Sequence, residues 1–311
     1  MKKMIGLLLL SGMILWGSAC KSSFERVRTS GNAETIINKA FELYEAKDYQ
    51  RAQTLFDLVL TSLRGDNRAE KAYYYYAYTH YYLKQYLLGA YYFKTFSNTF
   101  LNSPFREESA FMSAYCNFKL SPTYRLDQGN TKTAIEEFQL FTNLYPKSTR
   151  IDECNKLIDI MRRKLEEKAL AEGQLYYNLR QYQSAVITFD NLLRDYPESP
   201  DAERVRFLVA RADFLLSENS IVEKREERYR ETTKRCEEFL RKYPNGKYTK
   251  DIKDLKKSAE EAAIAIKNRL KHRCMDHPIN SSFHQIFYSA LLWAISKVKP
   301  RALMPMFNRA T

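Results

Sequence analysis

One recurring pattern constrains this chain more than any other feature. An aromatic residue is followed three positions later by a small one, after four more by a ring, and after seven more by another large side chain. It reads Tyr49-Ala52-Phe56-Leu63, Tyr86-Gly89-Phe93-Phe100, Thr131-Ala134-Phe138-Tyr145-Pro146 and Tyr182-Ala185-Phe189-Tyr196-Pro197. A weaker copy is Tyr229-Thr232-Cys236-Tyr243-Pro244, in which Cys236 stands where the others hold Phe. Positions three, four and seven apart share one helix face. The small residue admits a neighbouring helix and the ring fills the groove beside it. Proline then stops the helix, because it restricts the residue before it and cannot extend the hydrogen-bond ladder. The copies start 37, 45, 51 and 47 residues apart.

Another amphipathic stretch lies upstream of each copy, at 33–47, 69–84, 105–119, 164–179 and 201–217, with Asp201 as a candidate N-cap for the last. The spacing therefore predicts five helix pairs over residues 33–267. Only nine Gly and nine Pro occur in 311 residues, and no stretch alternates with period two, so the chain reads as all-α. The small positions Ala40, Ala77 and Gly173 in the first helices and Ala52, Gly89, Ala134 and Ala185 in the second resemble those of the tetratricopeptide repeat. Inserts at 121–130 and 217–226 account for the longer spacings. The resemblance implies a right-handed superhelix of about five helix pairs with a concave face.

The stretch KAYYYYAYTHYYLKQY (71–86) holds eight tyrosines in sixteen residues. A buried tyrosine hydroxyl needs a partner, so a plain core would use Leu and Ile instead. In the geometry of the repeat, Lys71, Tyr74, Tyr78, Tyr81 and Tyr82 face the concave side, joined by Ile37, Phe41 and Tyr44 from the first copy. Tyr73, Tyr76, Ala77 and His80 face neighbouring helices, with His80 as packing. Rings give large contact area at low entropic cost. Ile37, Phe41, Tyr44, Tyr74, Tyr78, Tyr81 and Tyr82 are therefore the candidate binding groove; the alternative is that all of them pack between helices.

The N-terminus, MKKMIGLLLLSGMILWGSAC, begins with two lysines, continues with an apolar stretch too short to span a bilayer, and ends in small residues before Cys20. It resembles a bacterial lipoprotein signal, although Gly17 replaces the usual aliphatic residue. The resemblance implies removal of 1–19, acylation of Cys20, and stable anchoring by several acyl chains. Lys21-Ser22-Ser23 lacks the Asp that marks inner-membrane retention, which favours the outer membrane with the body facing the periplasm. The alternative is an ordinary secreted protein. Residues 20–32 read as a flexible linker.

The net charge is +13, but residues 4–270 carry only +6 of it. Acids and bases interleave there, as in KREERYRETTKRCEEFLRK (224–242), which is a solvated helix face rather than the basic patch of a nucleic-acid binder. Cys116, Cys154, Cys236 and Cys274 are far apart, form no zinc spacing, and read as small hydrophobes. No catalytic, phosphate-binding or metal motif is present, so neither an enzyme nor a cofactor is expected.

A lipoprotein signal followed by five such repeats resembles the BamD family, lipoprotein subunits of the machinery that assembles outer-membrane β-barrels. The stretches that carry the resemblance are 106–148, 191–203 and 239–248. It implies a non-enzymatic scaffold. N-terminal repeats one to three (33–148) would receive unfolded outer-membrane proteins. C-terminal repeats four and five (149–270) would dock a BamA-like barrel subunit and other subunits of the complex, with Arg194 in contact with the barrel subunit. A second reading is another periplasmic helical-repeat lipoprotein, acting in cell-wall coordination or secretion. Residues 271–311 break the pattern; they hold three of the four His and no Gly, and read as an atypical, poorly ordered tail.

Overall fold

The computed structural model describes residues 23–63, 66 and 68–276, with backbone alone from residue 270. The leader, Cys20 and the tail beyond 276 lie outside the described residues, as does the side chain of Cys274. Twelve helices occur among the described residues: α1 Ser23–Arg28, α2 Ala33–Glu45, α3 Tyr49–Leu60, α4 Arg68–Tyr82, α5 Tyr86–Thr99, α6 Arg106–Leu120, α7 Gly129–Leu144, α8 Ile151–Asn178, α9 Tyr182–Asp195, α10 Ala202–Glu218, α11 Val222–Lys242 and α12 Thr249–Asp276. The all-α expectation is met, and the five pairs are α2/α3, α4/α5, α6/α7, α8/α9 and α10/α11.

The notch-and-knob reading has a direct atomic counterpart. A methyl group added to Gly173 would lie 2.4 Å from the Phe189 ring, so the ring occupies the space that glycine leaves. At Gly89 the added carbon would sit 3.1 Å from the Cys116 sulfur. The knobs Phe56, Phe93, Phe138 and Phe189 and their stand-in Cys236 are fully buried. Each such Phe stabilises the fold by roughly 1.5–3 kcal/mol through removal from water.

Three of the turns inside pairs share one geometry that uses no glycine. Lys47, Lys84 and Arg180 adopt φ of 61°, 60° and 60°. In the first, the Asp48 amide donates to the Leu43 carbonyl and the Lys47 amide to that of Tyr44, both at 2.9 Å. The same two bonds recur at Lys84 and Arg180. They satisfy helix-end carbonyls, the usual task of a left-handed C-terminal residue.

The chain divides into two units between Lys168 and Ala169. That point lies inside α8. The sequence reading started α8 at 164; in fact Cys154, Ile158 and Met161 extend its apolar face and pack with Phe111, Phe138 and Phe141 of the first unit. In the second unit α12 packs on α11 and buries Ile252 and Ala259. Part of the expected linker is also ordered. Phe24 and Val27 of α1 pack against the α2/α3 core, and Asn32 caps α2 by accepting from Glu34 and Thr35 amides at 3.0 and 3.1 Å.

Candidate functional site

The tyrosines of α4 divide between two jobs. Tyr76, Ala77 and His80 are buried against neighbouring helices. The Tyr76 hydroxyl donates to Asp57 at 3.0 Å, and His80 stacks on Tyr92 with centroids 4.8 Å apart while bonding Gln53 and Gln85. Burial raises the Tyr76 hydroxyl above its ordinary pKa and lowers that of the His80 ring, so both are held neutral.

The other half joins a connected wall of half-exposed rings, most of them on the first helices of the first unit. Tyr44 meets Tyr75 edge-on at 4.5 Å, and Tyr75 meets Phe41 at 5.6 Å and Tyr74 at 5.6 Å. Tyr74 stacks on Phe105 at 4.4 Å and meets Tyr78 at 5.0 Å. Tyr82 stacks on Tyr49 at 4.4 Å and touches Tyr78 and Tyr81 at 5.9 and 5.4 Å. Tyr81 continues the row to Tyr86 and Tyr115, and Tyr115 to Phe118. Two cations rim the rings: Lys71 lies 5.0 Å from the Phe41 centroid, and Lys119 lies 5.0 Å from that of Tyr115. Contacts of this kind contribute about 0.5–1 kcal/mol at an exposed site. Tyr78 is braced from behind, its hydroxyl donating to Glu108 at 2.8 Å, and Arg150 pairs with the same carboxylate at 2.8 Å. Burial raises the Tyr44 and Tyr78 pKa values, so their hydroxyls act as neutral donors.

Of the seven expected groove residues, six meet in this wall: Phe41, Tyr44, Tyr74, Tyr78, Tyr81 and Tyr82. Ile37 does not; it is fully buried in the α2/α3 core. It occupies the third position before the small residue, the position of Phe111 in the third pair, which is also buried. Tyr75, Tyr49, Tyr86, Phe105, Tyr115 and Phe118 join the wall outside the expected set. For Tyr75 the signal was available: Lys71, Tyr75, Tyr78 and Tyr82 sit at i, i+4, i+7 and i+11, one stripe of a helix. Tyr49 and Tyr86 open the second helices, as the first rings of the repeat pattern.

Arg194 lies in the last turn of α9 with its side chain 71% exposed and paired only loosely, 3.2 Å from the adjacent Asp195. Cys116, Cys154 and Cys236 are free and buried, and burial pushes their thiols up to about 12, 11 and 12. They stay protonated and behave as small apolar side chains. Among the described residues no helix is long and apolar enough to cross a membrane, and no three His, Cys, Asp or Glu gather into a metal site.

Among solved structures the chain is similar to TTC0263, a thermophilic TPR protein of Thermus thermophilus, at 17% identity over 73% of this chain and 98% of that one, with a TM-score of 0.28. It is also similar to the apo form of RapI, at 16% identity over 78% and 84% of the two chains, with a TM-score of 0.27. No curated protein matches the sequence. The family of YfiO outer membrane lipoproteins matches residues 30–198 and 174–270, most of the chain and all five helix pairs. The chain belongs to that family, the BamD-type outer membrane lipoproteins.

Proposed function

We propose that this protein is a non-enzymatic scaffold of the outer-membrane β-barrel assembly complex, anchored through acylated Cys20 and facing the periplasm. Its first unit would receive unfolded outer-membrane proteins. Its second would dock a BamA-like barrel subunit, with Arg194 among the contacts, and other subunits of the complex. The observation that carries the reading is the ring wall from Phe41 to Tyr115. Half-exposed rings held rigidly by one another suit an extended peptide that carries rings of its own. Lys71 and Lys119 at its rim suit a carboxylate, such as a free chain end.

Two measurements test this. Fluorescence anisotropy of the mature chain with a labelled peptide ending in alternating aromatic residues and a free carboxylate should show saturable binding. Replacement of its rings by Ala should abolish that binding; equal binding of both peptides refutes the wall as a site. Affinity purification of the tagged protein from detergent-solubilised envelopes should then bring down a barrel protein with periplasmic domains in near-equal amount. Recovery of cell-wall or secretion proteins instead would favour the adaptor reading.

A further inference from the structure

The repeats supply an internal control for what a solvent face of a second helix should look like. Nine and thirteen residues after the start of the pattern, α5 carries Thr95 and Thr99, α9 carries Asn191 and Asp195, and α11 carries Glu238 and Lys242, while the first copy has Leu58, 48% exposed, and Ser62. At the same two positions α7 carries Leu140 and Leu144, 54% and 56% exposed. Two exposed leucines one turn apart, where the first copy has a single one and the other copies none, mark a specialised surface. They flank a cleft of about 80 Å³ between α5, α6 and α7, floored by Ala110 and Phe141.

The charges of this cleft are unevenly matched. Glu137 is satisfied: Lys94 pairs with it at 2.8 Å, Ser113 donates to it at 3.0 Å and Asn117 at 2.9 Å. Arg106 is not balanced by an acid. Its guanidinium donates to the Ser97 carbonyl at 3.0 Å and has no acidic partner among the described residues. The cleft thus pairs an apolar rim with a surplus cation.

We propose that this cleft is a docking site for an acidic, apolar segment of a protein partner. The segment would seat an aliphatic or aromatic side chain between Leu140 and Leu144 and place a neighbouring carboxylate on Arg106. The site uses none of the rings of the aromatic wall and is independent of what that wall binds.

The test uses the full mature chain and two labelled dodecapeptides. Both carry Leu and Phe anchors, set among Asp and Glu in one and among Lys in the other. The acidic peptide should bind, and the basic one should bind at least about tenfold more weakly. The Leu140→Gln/Leu144→Gln double variant, which removes the apolar rim without changing charge, should lose the acidic peptide, whereas Leu58→Gln, the position of Leu140 in the first copy, should leave it unchanged. These are exposed positions, so the fold is spared. An aromatic peptide ending in a free carboxylate should not compete. Equal binding of the two dodecapeptides, no binding of either, or an equal effect of Leu58→Gln overturns the proposal. So does self-association of the chain, in sedimentation velocity, that the double variant abolishes.

Discussion

The residue that follows the small position of each first helix separates the two units. In the first unit it is Phe41, Tyr78 and Tyr115; in the second it is Gln174 and Arg211. The backbone pattern is the same, so the helix pair does not require a ring there. The small residue and the buried Phe knob do the packing, and the next position is released for other work. In the first unit that work is a surface of rings.

The same comparison holds where successive pairs meet. In the first unit Lys94 of α5 pairs with Glu137 of α7, with Asn117 of α6 donating to the carboxylate. At the corresponding positions of the second unit the polarity is reversed. Asp190 of α9 takes a two-pronged bond from Arg235 of α11 at 3.0 and 2.9 Å, and Asp213 of α10 lies 2.6 Å from the Arg235 Nε. That last contact is a close ion pair rather than an aligned hydrogen bond. Lys94 is largely exposed, whereas Arg235 and Asp213 are not. The register is shared and the chemistry is not, which opposes mispairing of one repeat with another's neighbour.

The largest effect expected is at that buried pair. Arg235→Ala leaves Asp213 buried and unpaired and should cost about 3–5 kcal/mol, whereas Lys94→Ala should cost under about 1 kcal/mol. Urea unfolding checks both, and similar costs would erase the contrast between the junctions.

Asp213 sets the next effect. Burial pushes its carboxyl up to about 6, against the pull of Arg235. The folded state therefore binds a proton that the unfolded state has lost between pH about 4 and about 6, and stability from this group falls as pH rises through that window. Relative to the parent, the Asp213→Asn variant should gain up to about 2–3 kcal/mol between pH ~4 and ~7, while Arg235 keeps Asp190. A pH-independent difference would contradict it.

Smaller still is the exchange of a wall residue for its counterpart in the second unit. Tyr78→Gln should weaken an aromatic peptide by roughly tenfold, about 1.4 kcal/mol. Arg211→Gln, by the same measurement, should change nothing. The smallest effect is at the turns. Lys84→Gly removes a left-handed non-glycine residue, and should raise the unfolding free energy by about 0.5–1 kcal/mol. A loss on thermal unfolding would show that the Lys84 side chain has a role beyond its backbone.

Much of this was legible because periodicity reports packing. Ala77, Gly89, Gly173 and the Phe knobs announced the pairs, and Lys71, Tyr78 and Tyr82 announced a surface. What was missed has physical reasons. The first half of α8 and all of α12 lack the ring-small-ring signature, since they pack with scattered Cys154, Ile158, Met161, Ile252 and Ala259. The turns at Lys47, Lys84 and Arg180 carry no Gly, so their left-handed conformation left no mark in the sequence. Ile37 and Tyr74 both stand three residues before the small position of a first helix, but the aliphatic side chain fits the core where the tyrosine reaches the surface.

The central claim is that the ring wall of the first unit holds the aromatic end of an unfolded chain. It is tested most directly by photocrosslinking from p-benzoylphenylalanine placed at Tyr82, the most exposed of the expected wall residues, to a labelled unfolded outer-membrane protein. The account predicts a crosslink that maps to the substrate's aromatic C-terminal segment and is lost when that segment is removed. A crosslink that survives the truncation, or one obtained equally from the second unit at Arg211, would contradict it.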